Sequence, residues 1–171
     1  MAIVSDPKSR NMAIATGTGA VIFVATHEDK EWQPVHNLLA SLKVSEIPAT
    51  SADVLNRGQN LFAIGYANGS VKLFNAEDGQ LLCELGAHSR QVNALVCHPT
   101  KAVFATCGDD TFVNIWEVSG SKLASLDINL IVSSRVADYQ MTGVAFGGPD
   151  FNSLVSSVYD FKTMLVWDQI V

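Results

Sequence analysis

The chain has 171 residues, 48% of them hydrophobic, which is enough for one globular domain with a buried core. Its formal net charge is -6, and its 11 basic residues are scattered, which argues against a nucleic-acid-binding surface. The cysteines Cys83, Cys97 and Cys107 lack the spacing of a disulfide framework or a zinc site. No apolar run approaches the roughly 18 residues that span a bilayer, and the N-terminus lacks the apolar stretch of a secretory signal. We therefore expect a cytoplasmic protein without an integral membrane segment, a nucleic-acid partner, a metal or a cofactor.

Short apolar runs recur along the chain in pairs. In chain order the pairs are residues 12–16 with 21–25, 61–66 with 71–74, 103–107 with 112–118, and 154–158 with 164–167. Their period of two and their content of Val, Ile, Thr and Phe are typical of strands. The turns inside the pairs are rich in Gly, Asn and Asp, which tolerate the positive φ of tight hairpins. The pattern predicts an all-β protein with almost no helix.

An aromatic residue closes the second strand of every pair, at Phe23, Phe74, Trp116 and Trp167, with spacings of 51, 42 and 51 residues. A repeat of about 40 to 50 residues is typical of the blades of a β-propeller. We expect one partial propeller domain over residues 1–171, with blades at about 1–42, 49–86, 87–130 and 140–171. The first and last blades are predicted to be incomplete, and a closed four-bladed ring is the alternative to part of a larger propeller.

The third repeat carries the most specific pattern. Its residues 85–88, 92–95 and 104–116 resemble the consensus of the WD-repeat family almost position for position. The resemblance implies a WD-repeat β-propeller with a buried, hydrogen-bonded tetrad formed by His88, Thr106, Asp110 and Trp116. The chemistry of the four types fits such a chain, because an indole donates, a carboxylate accepts, and a hydroxyl or a neutral imidazole does both.

Thr106, His88 and Asp110 are also the residue types of a nucleophile, a general base and its orienting acid. No glycine elbow or oxyanion nest accompanies Thr106, and Trp116 at its fixed spacing completes a structural network instead. We expect a protein without catalytic residues. The other repeats keep the strands and lose the tetrad: the second has Asn68 in the Asp position, and the fourth lacks the His.

Three weaker signals have structural explanations. The run Gly17-Thr18-Gly19 follows a strand like a phosphate-binding loop, but a strand rather than a helix comes after it, which favours a hairpin turn. His27, His36 and His98 lie in separate turns or strand edges without metal-ligand spacing, so we expect them to be solvated or locally bonded. The polar stretch 133–140 is interpreted as a connection between blades, with a docking loop as the alternative.

The candidate functional surface is the rim made by the turns between second and third strands and by the connections between blades. In the WD-repeat family this face receives partner peptides and domains, and the matching positions here are Tyr66, Asn68, Arg90, Asp109 and Tyr159. Tyr and Arg are the residue types that dominate interface energies. We therefore predict a non-catalytic scaffold or adaptor that binds a protein whose identity the sequence does not give.

The alternative is a structural subunit of a larger assembly, such as a ciliary or microtubule-associated complex. There a missing N-terminal part or another chain would complete the sheet. Association with vesicles or cilia is a further expectation that the resemblance implies.

Overall fold

The computed structural model describes residues 1–28, 34–43, 46–55, 60–120 and 126–170. The side chains of His27 and His36, and residue 171, lie outside that description. The described strands form four antiparallel sheets that follow one another along the chain, and hydrogen-bonded neighbours in each sheet are consecutive in sequence. The all-β prediction and the prediction of a partial, about four-bladed propeller are confirmed.

The strands are, in sheet 1, β1 (Ala2–Ser5), β2 (Asn11–Ala15), β3 (Ala20–Glu28) and β4 (Pro34–Lys43); in sheet 2, β5 (Ala49–Leu55), β6 (Leu61–Tyr66), β7 (Ser70–Asn75) and β8 (Leu81–Gly86); in sheet 3, β9 (Val92–Cys97), β10 (Val103–Gly108), β11 (Phe112–Ser119) and β12 (Asp127–Arg135); and in sheet 4, β13 (Met141–Gly147), β14 (Ser153–Val158) and β15 (Leu165–Trp167). One turn of 3-10 helix, Pro149–Phe151, joins β13 to β14. No helix in the described part of the chain is long and apolar enough to cross a membrane.

The sheets stack face to face like the blades of a propeller. The first strands are neighbours, with β1 beside β5, β5 beside β9, and β9 beside β13. Strands β6, β7 and β10 are buried along their whole length because both faces of their sheets are covered, whereas the outer strand β12 is largely exposed. A continuous apolar sequence in the middle strands is therefore what this packing requires.

Three apolar clusters hold the sheets together, one at each junction between consecutive sheets. The first includes Phe23, Phe62 and Phe74, and the second includes Phe104 and Trp116. The third contains Ile115, Met141 and Leu154. None of these clusters, which cover the described residues, joins sheet 4 to sheet 1. The four sheets form an open arc.

Backbone hydrogen bonds tie each sheet to the segment that follows it. The carbonyl of Thr16, in the turn between β2 and β3, accepts from Ala49 N–H at the start of β5 at 3.2 Å. The carbonyl of Gly69, in the turn between β6 and β7, accepts from the N–H groups of residues 87 and 88, both at 3.0 Å. Thr111, at the corresponding turn of sheet 3, accepts from Val136 N–H at 2.9 Å. The same edge of sheets 1, 2 and 3 therefore anchors the chain that enters the next sheet.

One predicted repeat position is wrong. Phe74, Trp116 and Trp167 face the preceding sheet, but Phe23 faces the following one, where its ring centroid lies 5.4 Å from that of Phe74. The strand pairing shifts register between Phe23 and Val24 in β3, and between Ile115 and Trp116 in β11. Val24 therefore holds the position in β3 that corresponds to Trp116. Adjacent apolar residues hid which of the two faces the preceding sheet.

The connection between sheets 3 and 4 also differs from the prediction. Residues 133–135 belong to β12, with Arg135 opposite Phe112, so only 136–140 connect sheets 3 and 4. A polar sequence is compatible with a strand there because β12 is the outer strand of its sheet and faces solvent. The run 17–19, by contrast, forms the predicted hairpin turn between β2 and β3.

Asp6 and His98 build the same turn between first and second strands with different acceptors. A carboxylate of Asp6 accepts from the backbone N–H groups two and three residues later, both at 3.0 Å, and His98 Nδ1 does so at 3.2 and 3.0 Å. His98 is fully buried, so the prediction that it is solvated is wrong and the alternative of local bonding is confirmed. Burial lowers the pKa of His98, and the nearby charge of Lys101 lowers it further.

The three cysteines are free thiols. Cys97 and Cys107 are buried and Cys83 is half-buried. Burial raises the pKa of Cys107 to about 12, and raises those of the other two thiols as well. Within the described ranges no three His, Cys, Asp or Glu side chains gather as metal ligands would.

Candidate functional site

The structure brings the four tetrad side chains into one hydrogen-bonded chain. Trp116 Nε1 donates to Thr106 Oγ1 at 3.0 Å, and Thr106 Oγ1 lies 2.9 Å from His88 Nε2. His88 Nδ1 lies 2.8 Å from Asp110 Oδ1. With Nδ1 protonated, the imidazole donates to the carboxylate and accepts from the hydroxyl, so every polar atom in the chain has a partner.

Four separate elements position these side chains. Thr106 is in β10, Trp116 is opposite Phe104 on β11, and Asp110 is in the turn between the two strands. His88 lies between β8 and β9, where the Gly69 carbonyl holds its N–H. Asp110 Oδ2 also accepts from the N–H of the residue after His88, at 2.9 Å. The tetrad thus fastens the segment that enters sheet 3 to the centre of that sheet.

The tetrad has the geometry of a structural network. Thr106 is completely buried, and its hydroxyl is already engaged by both Trp116 and His88. A nucleophile must instead present its oxygen to a substrate. The role this arrangement supports is to satisfy buried polar groups at the junction of sheets 2 and 3.

The side chains at the corresponding positions of sheet 4 have different hydrogen-bond partners. Ser156, which occupies the place of Thr106, donates to the carbonyl of Gly143 at 2.7 Å. Trp167 Nε1 donates to Ser134 Oγ on sheet 3 at 3.2 Å. Asp160 is exposed in the longer turn that follows β14. Without a histidine between them, the serine and the tryptophan each find another acceptor.

Three of the sheets place their rim turns on one edge of the molecule by the same backbone contact. The N–H of the residue after the second strand donates to the carbonyl just before the first strand of the same sheet. These bonds join Ala67 to Pro48 at 2.9 Å, Asp109 to Gln91 at 3.1 Å, and Tyr159 to Gln140 at 2.9 Å. The repetition shows that the turns of sheets 2, 3 and 4 lie along a common edge.

Four of the five predicted rim residues are at least partly accessible on that edge. Asn68 and Arg90 are exposed, and Tyr159 is 67% exposed. Asp109 is half-buried because its carboxylate accepts from Asn93 Nδ2 at 2.6 Å. These four accessible residues, Asn68, Arg90, Asp109 and Tyr159, form the rim.

Tyr66, the fifth predicted residue, is not on the surface. Its side chain is fully buried in the cluster between sheets 1 and 2, and Lys72 Nζ lies 5.2 Å from its ring centroid. Lys72 itself is buried and pairs with Glu84 at 3.2 Å. Burial raises the pKa of Tyr66 to about 12, with a smaller contribution from the Glu84 charge. The strand alternation turns this ring inward at the last residue before the turn.

Polar side chains inside strands link the sheets, and the sequence reasoning missed them. Asp53 Oδ2 on β5 accepts from Cys97 N–H at 2.7 Å. Asn93 on β9 donates to the Met141 carbonyl at 2.8 Å, and Asn11 on β2 donates to the carbonyl of Ala76, just after β7, at 2.9 Å. A carboxylate or amide within an apolar strand is the signal that could have identified them, because such a group needs a buried partner.

Comparison with known proteins agrees with this geometry. A family model described as WDR54 matches residues 14–169. WD repeat-containing protein 54 of Mus musculus is 28% identical over 158 residues, which are 88% of this chain and 46% of that protein. The Homo sapiens protein of the same name is 29% identical over 153 residues, which are 85% of this chain and 45% of that protein. The chain therefore spans about half the length of these relatives.

Solved structures with low sequence identity share the fold. A crystal structure of the computationally designed Ika4 protein superposes with a TM-score of 0.70 at 17% identity, over 98% of this chain and 89% of that one. A chain of an active polycomb repressive complex 2 in the basal state superposes with a TM-score of 0.76 at 18% identity, over 97% of this chain and 36% of that one. At these identities the likeness concerns the fold alone.

The stacked antiparallel sheets and the tetrad define a WD-repeat β-propeller protein. The runs 64–79 and 108–116 resemble WD repeat-containing protein 54. The family model confirms that resemblance over most of the chain, and the protein belongs to the WDR54 family.

Proposed function

We propose that the protein is a non-catalytic scaffold that binds a protein partner at its rim. The observation that carries this proposal is the shared edge: the same backbone contact in sheets 2, 3 and 4 brings side chains from separate sheets onto one surface. The WD-repeat family itself suggests a protein-interaction scaffold. The tetrad supports the proposal indirectly, because it fixes the segment that carries Arg90.

The chemistry of the rim suits a partner of mixed character. Arg90 offers a guanidinium that pairs with a carboxylate, and Tyr159 offers a largely exposed ring with a polar tip. Asp109 is held in place by Asn93, so it loses little side-chain freedom when a donor from a partner binds. A segment that contains both an acidic and an apolar residue would satisfy the rim.

A cytoplasmic location is part of the same proposal. The three free thiols support it, because unlinked cysteines persist where the surroundings are reducing.

The proposal is tested by affinity capture from cell lysate, with bound proteins quantified for the wild type and for an Arg90→Ala, Tyr159→Ala variant. We expect the variant to lose at least one specific partner while its circular dichroism spectrum and melting temperature stay unchanged. Lys101→Ala is the control, because it removes a positive charge in the turn before β10, which lies at the opposite ends of the strands. Equal capture of every protein by the wild type and the rim variant would contradict the proposal.

A structural role in a larger assembly is the second candidate. It is favoured by apolar side chains left exposed on the two end sheets, such as Ile3 and Val166, each 58% exposed.

A further inference from the structure

Two tyrosines mark the part of the common edge that belongs to sheet 4. Tyr159 N–H donates to the carbonyl just before β13, as Asp109 N–H donates to the carbonyl just before β9. Tyr159 therefore holds the position of Asp109 in sheet 3. Tyr139 and Arg90 are the residues that precede the two accepting carbonyls, so they match each other as well. Sheet 4 presents two aromatic rings where sheet 3 presents a guanidinium and a carboxylate.

The accessibility of these two positions does not depend on which segment comes after sheet 4. Sheet 3 is followed by sheet 4, and of its matching residues Arg90 is exposed and Asp109 is half-buried. In sheet 2, which is followed by sheet 3, Ile47 and Ala67 hold the same positions and are both half-buried. A following sheet packs against the face of its neighbour and therefore leaves this edge accessible.

The ring of Tyr139 is held in place. In the connection 136–140, Val136 N–H donates to the carbonyl of Thr111 at 2.9 Å, and Tyr139 N–H donates to the carbonyl of Val136 at 3.4 Å. The ring packs against that of Phe161, in the turn after β14, with 5.1 Å between the ring centroids. Tyr139 nevertheless stays 39% exposed, and Tyr159 is 67% exposed. A ring that is fixed before binding loses little freedom when a ligand packs on it.

An aspartate stands beside each tyrosine, Asp138 before the first and Asp160 after the second, and both are exposed. Asp160 matches Asp110 of the tetrad, whose carboxylate is engaged by His88. In the part of the chain that the structure describes, neither Asp138 nor Asp160 pairs with a basic side chain or accepts a side-chain hydrogen bond. Lys162, further along the turn, is exposed as well. Both carboxylates are therefore available to a ligand.

Tyrosine rings beside unpaired carboxylates suit a planar cation. A cation over the face of an aromatic ring is attracted by the negative charge of that face. The guanidinium of arginine also stacks on rings, and it donates to carboxylates through two N–H groups at once. Its aliphatic stem covers apolar surface while the charge stays at the edge. An acidic ligand would be repelled by the two aspartates, and an apolar ligand would leave both carboxylates unused.

We propose that the tyrosine patch, defined as Asp138, Tyr139, Tyr159 and Asp160, receives an arginine side chain of the protein partner. This inference rests on the proposed function, because it assigns the chemistry of the partner that the rim binds. Arg90 of sheet 3 pairs with a carboxylate of the same partner, which therefore lies along the edge with its acidic group at sheet 3 and its arginine at sheet 4. The connection 136–140 then acts as a docking loop in addition to joining two sheets.

Peptides of defined charge test the chemistry of the patch. The probe is a fluorescent decapeptide of glycine and serine that carries three arginines, and its binding is measured by fluorescence anisotropy. Matched peptides carry three lysines or three glutamates instead. The arginine peptide should bind most tightly and the glutamate peptide should not bind. Equal binding of the glutamate peptide would overturn the proposal, and equal binding of the lysine peptide would overturn the assignment to arginine.

Variants separate the contribution of the ring from that of its apolar surface. Tyr159→Phe keeps the ring and should bind the arginine peptide like the wild type. Tyr159→Leu keeps an apolar side chain without the ring, so the affinity should fall about two- to fivefold, the effect of one exposed contact between a cation and a ring. Circular dichroism shows that each variant is folded. Equal affinity of the wild type and Tyr159→Leu would mean that the ring does not contact the cation.

The aspartates are tested by the salt dependence of binding. Asp138→Asn and Asp160→Asn should each weaken binding of the arginine peptide at low salt, and the difference from the wild type should vanish near about 1 M salt because exposed charges are screened there. Asp127→Asn is the matched control, since it makes the same change of charge at an exposed position at the far end of β12. A loss as large in the control would show that only the net charge of the protein attracts the peptide, and would overturn the site.

Affinity capture distinguishes failure of this inference from failure of the proposed function. A partner lost by Arg90→Ala, Tyr159→Ala should be lost by Asp138→Asn, Asp160→Asn as well. If the aspartate variant retains that partner, the rim binds a protein but the patch receives no arginine from it, and only this inference fails. If Arg90→Ala, Tyr159→Ala loses no partner, the proposed function itself fails.

Discussion

The indole of Trp116 donates to the hydroxyl of Thr106 across 3.0 Å inside the junction of sheets 2 and 3. That single bond joins two strands of sheet 3, and through His88 and Asp110 it extends to the segment that enters the sheet. Removing one member of this hydrogen-bonded network therefore costs more free energy than the loss of a single bond.

We expect His88→Ala to lower the free energy of unfolding by about 1 to 3 kcal/mol, the usual cost of leaving a buried hydrogen-bonding group without its partner. The reason is that Thr106 and Asp110 each lose a partner at the same time. Urea denaturation measures the change. Asn68→Ala, at the position in sheet 2 that corresponds to Asp110, provides a comparison without a tetrad, and an equal loss in both variants would contradict the network.

Thr111→Gly should stabilise the protein by about 1 kcal/mol. Thr111 is a β-branched residue at φ 73°, where a side chain costs about 1 to 2 kcal/mol, and the matching positions in sheets 1 and 2 are Gly19 and Gly69. Part of this gain in stability is offset, because glycine raises the conformational entropy of the unfolded chain. Thermal unfolding measures the change, and the melting temperature should rise.

The reverse change, Gly69→Thr, is the control for that experiment. An added Cβ at Gly69 would overlap the backbone carbonyls of His88 and Arg90, so this variant should be strongly destabilised. A lower melting temperature for Thr111→Gly would mean that its backbone is not strained.

His98 should make the stability fall as the medium becomes acidic. Its pKa in the folded protein is below 6.5, so below that pH the unfolded chain binds a proton that the folded chain resists. The contribution of His98 is fully present above pH 6.5 and is lost as the pH falls toward the folded pKa, by at most about 1.4 kcal/mol per pH unit. In His98→Asn the amide oxygen replaces Nδ1 as acceptor, as the Asp6 carboxylate does in sheet 1.

Urea denaturation between pH 5 and 8 measures this effect. The wild type should lose stability relative to His98→Asn as the pH falls below 6.5. Parallel curves for the two proteins would rule out His98 as the source of the pH dependence.

Thiol reagents should distinguish the cysteines by their burial. Cys97 and Cys107 are buried with raised pKa values, so in the native protein they should not react at pH 8, and Cys83 should react slowly. A colorimetric disulfide reagent should count at most one thiol in native protein and three in urea. Cys83→Ser should abolish the native reaction, and reaction at a second site would show that a junction between sheets opens.

The sequence was sufficient for the tetrad because residues 85–116 resemble the WD-repeat consensus, which implies the four members, and the chemistry of their side chains allows each to have a partner. It was not sufficient for Tyr66, whose place beside a turn suggests the rim although the strand alternation directs its ring inward. Phe23 was misplaced for a related reason: with apolar residues on both faces of a strand, a shift of one residue leaves the pattern unchanged.

The repeat pattern could not predict the hydrogen bonds that join neighbouring sheets. Asp53 and Asn93 have their partners 44 and 48 residues further along the chain, at Cys97 and Met141. A repeat alignment compares positions within sheets, so it contains no information about which side chain reaches the neighbouring sheet. The sequence could identify these residues as polar groups in apolar strands, but not the atoms that satisfy them.

The backbone bonds between consecutive sheets run in one direction along the chain. The acceptors Thr16, Gly69 and Thr111 all precede their donors, so a sheet that has already formed offers the carbonyl that receives the next segment. During synthesis, residues that leave the ribosome later would find this carbonyl in place. The arc is therefore suited to be built from its first sheet onward, each completed hairpin serving as the template on which the following blade starts.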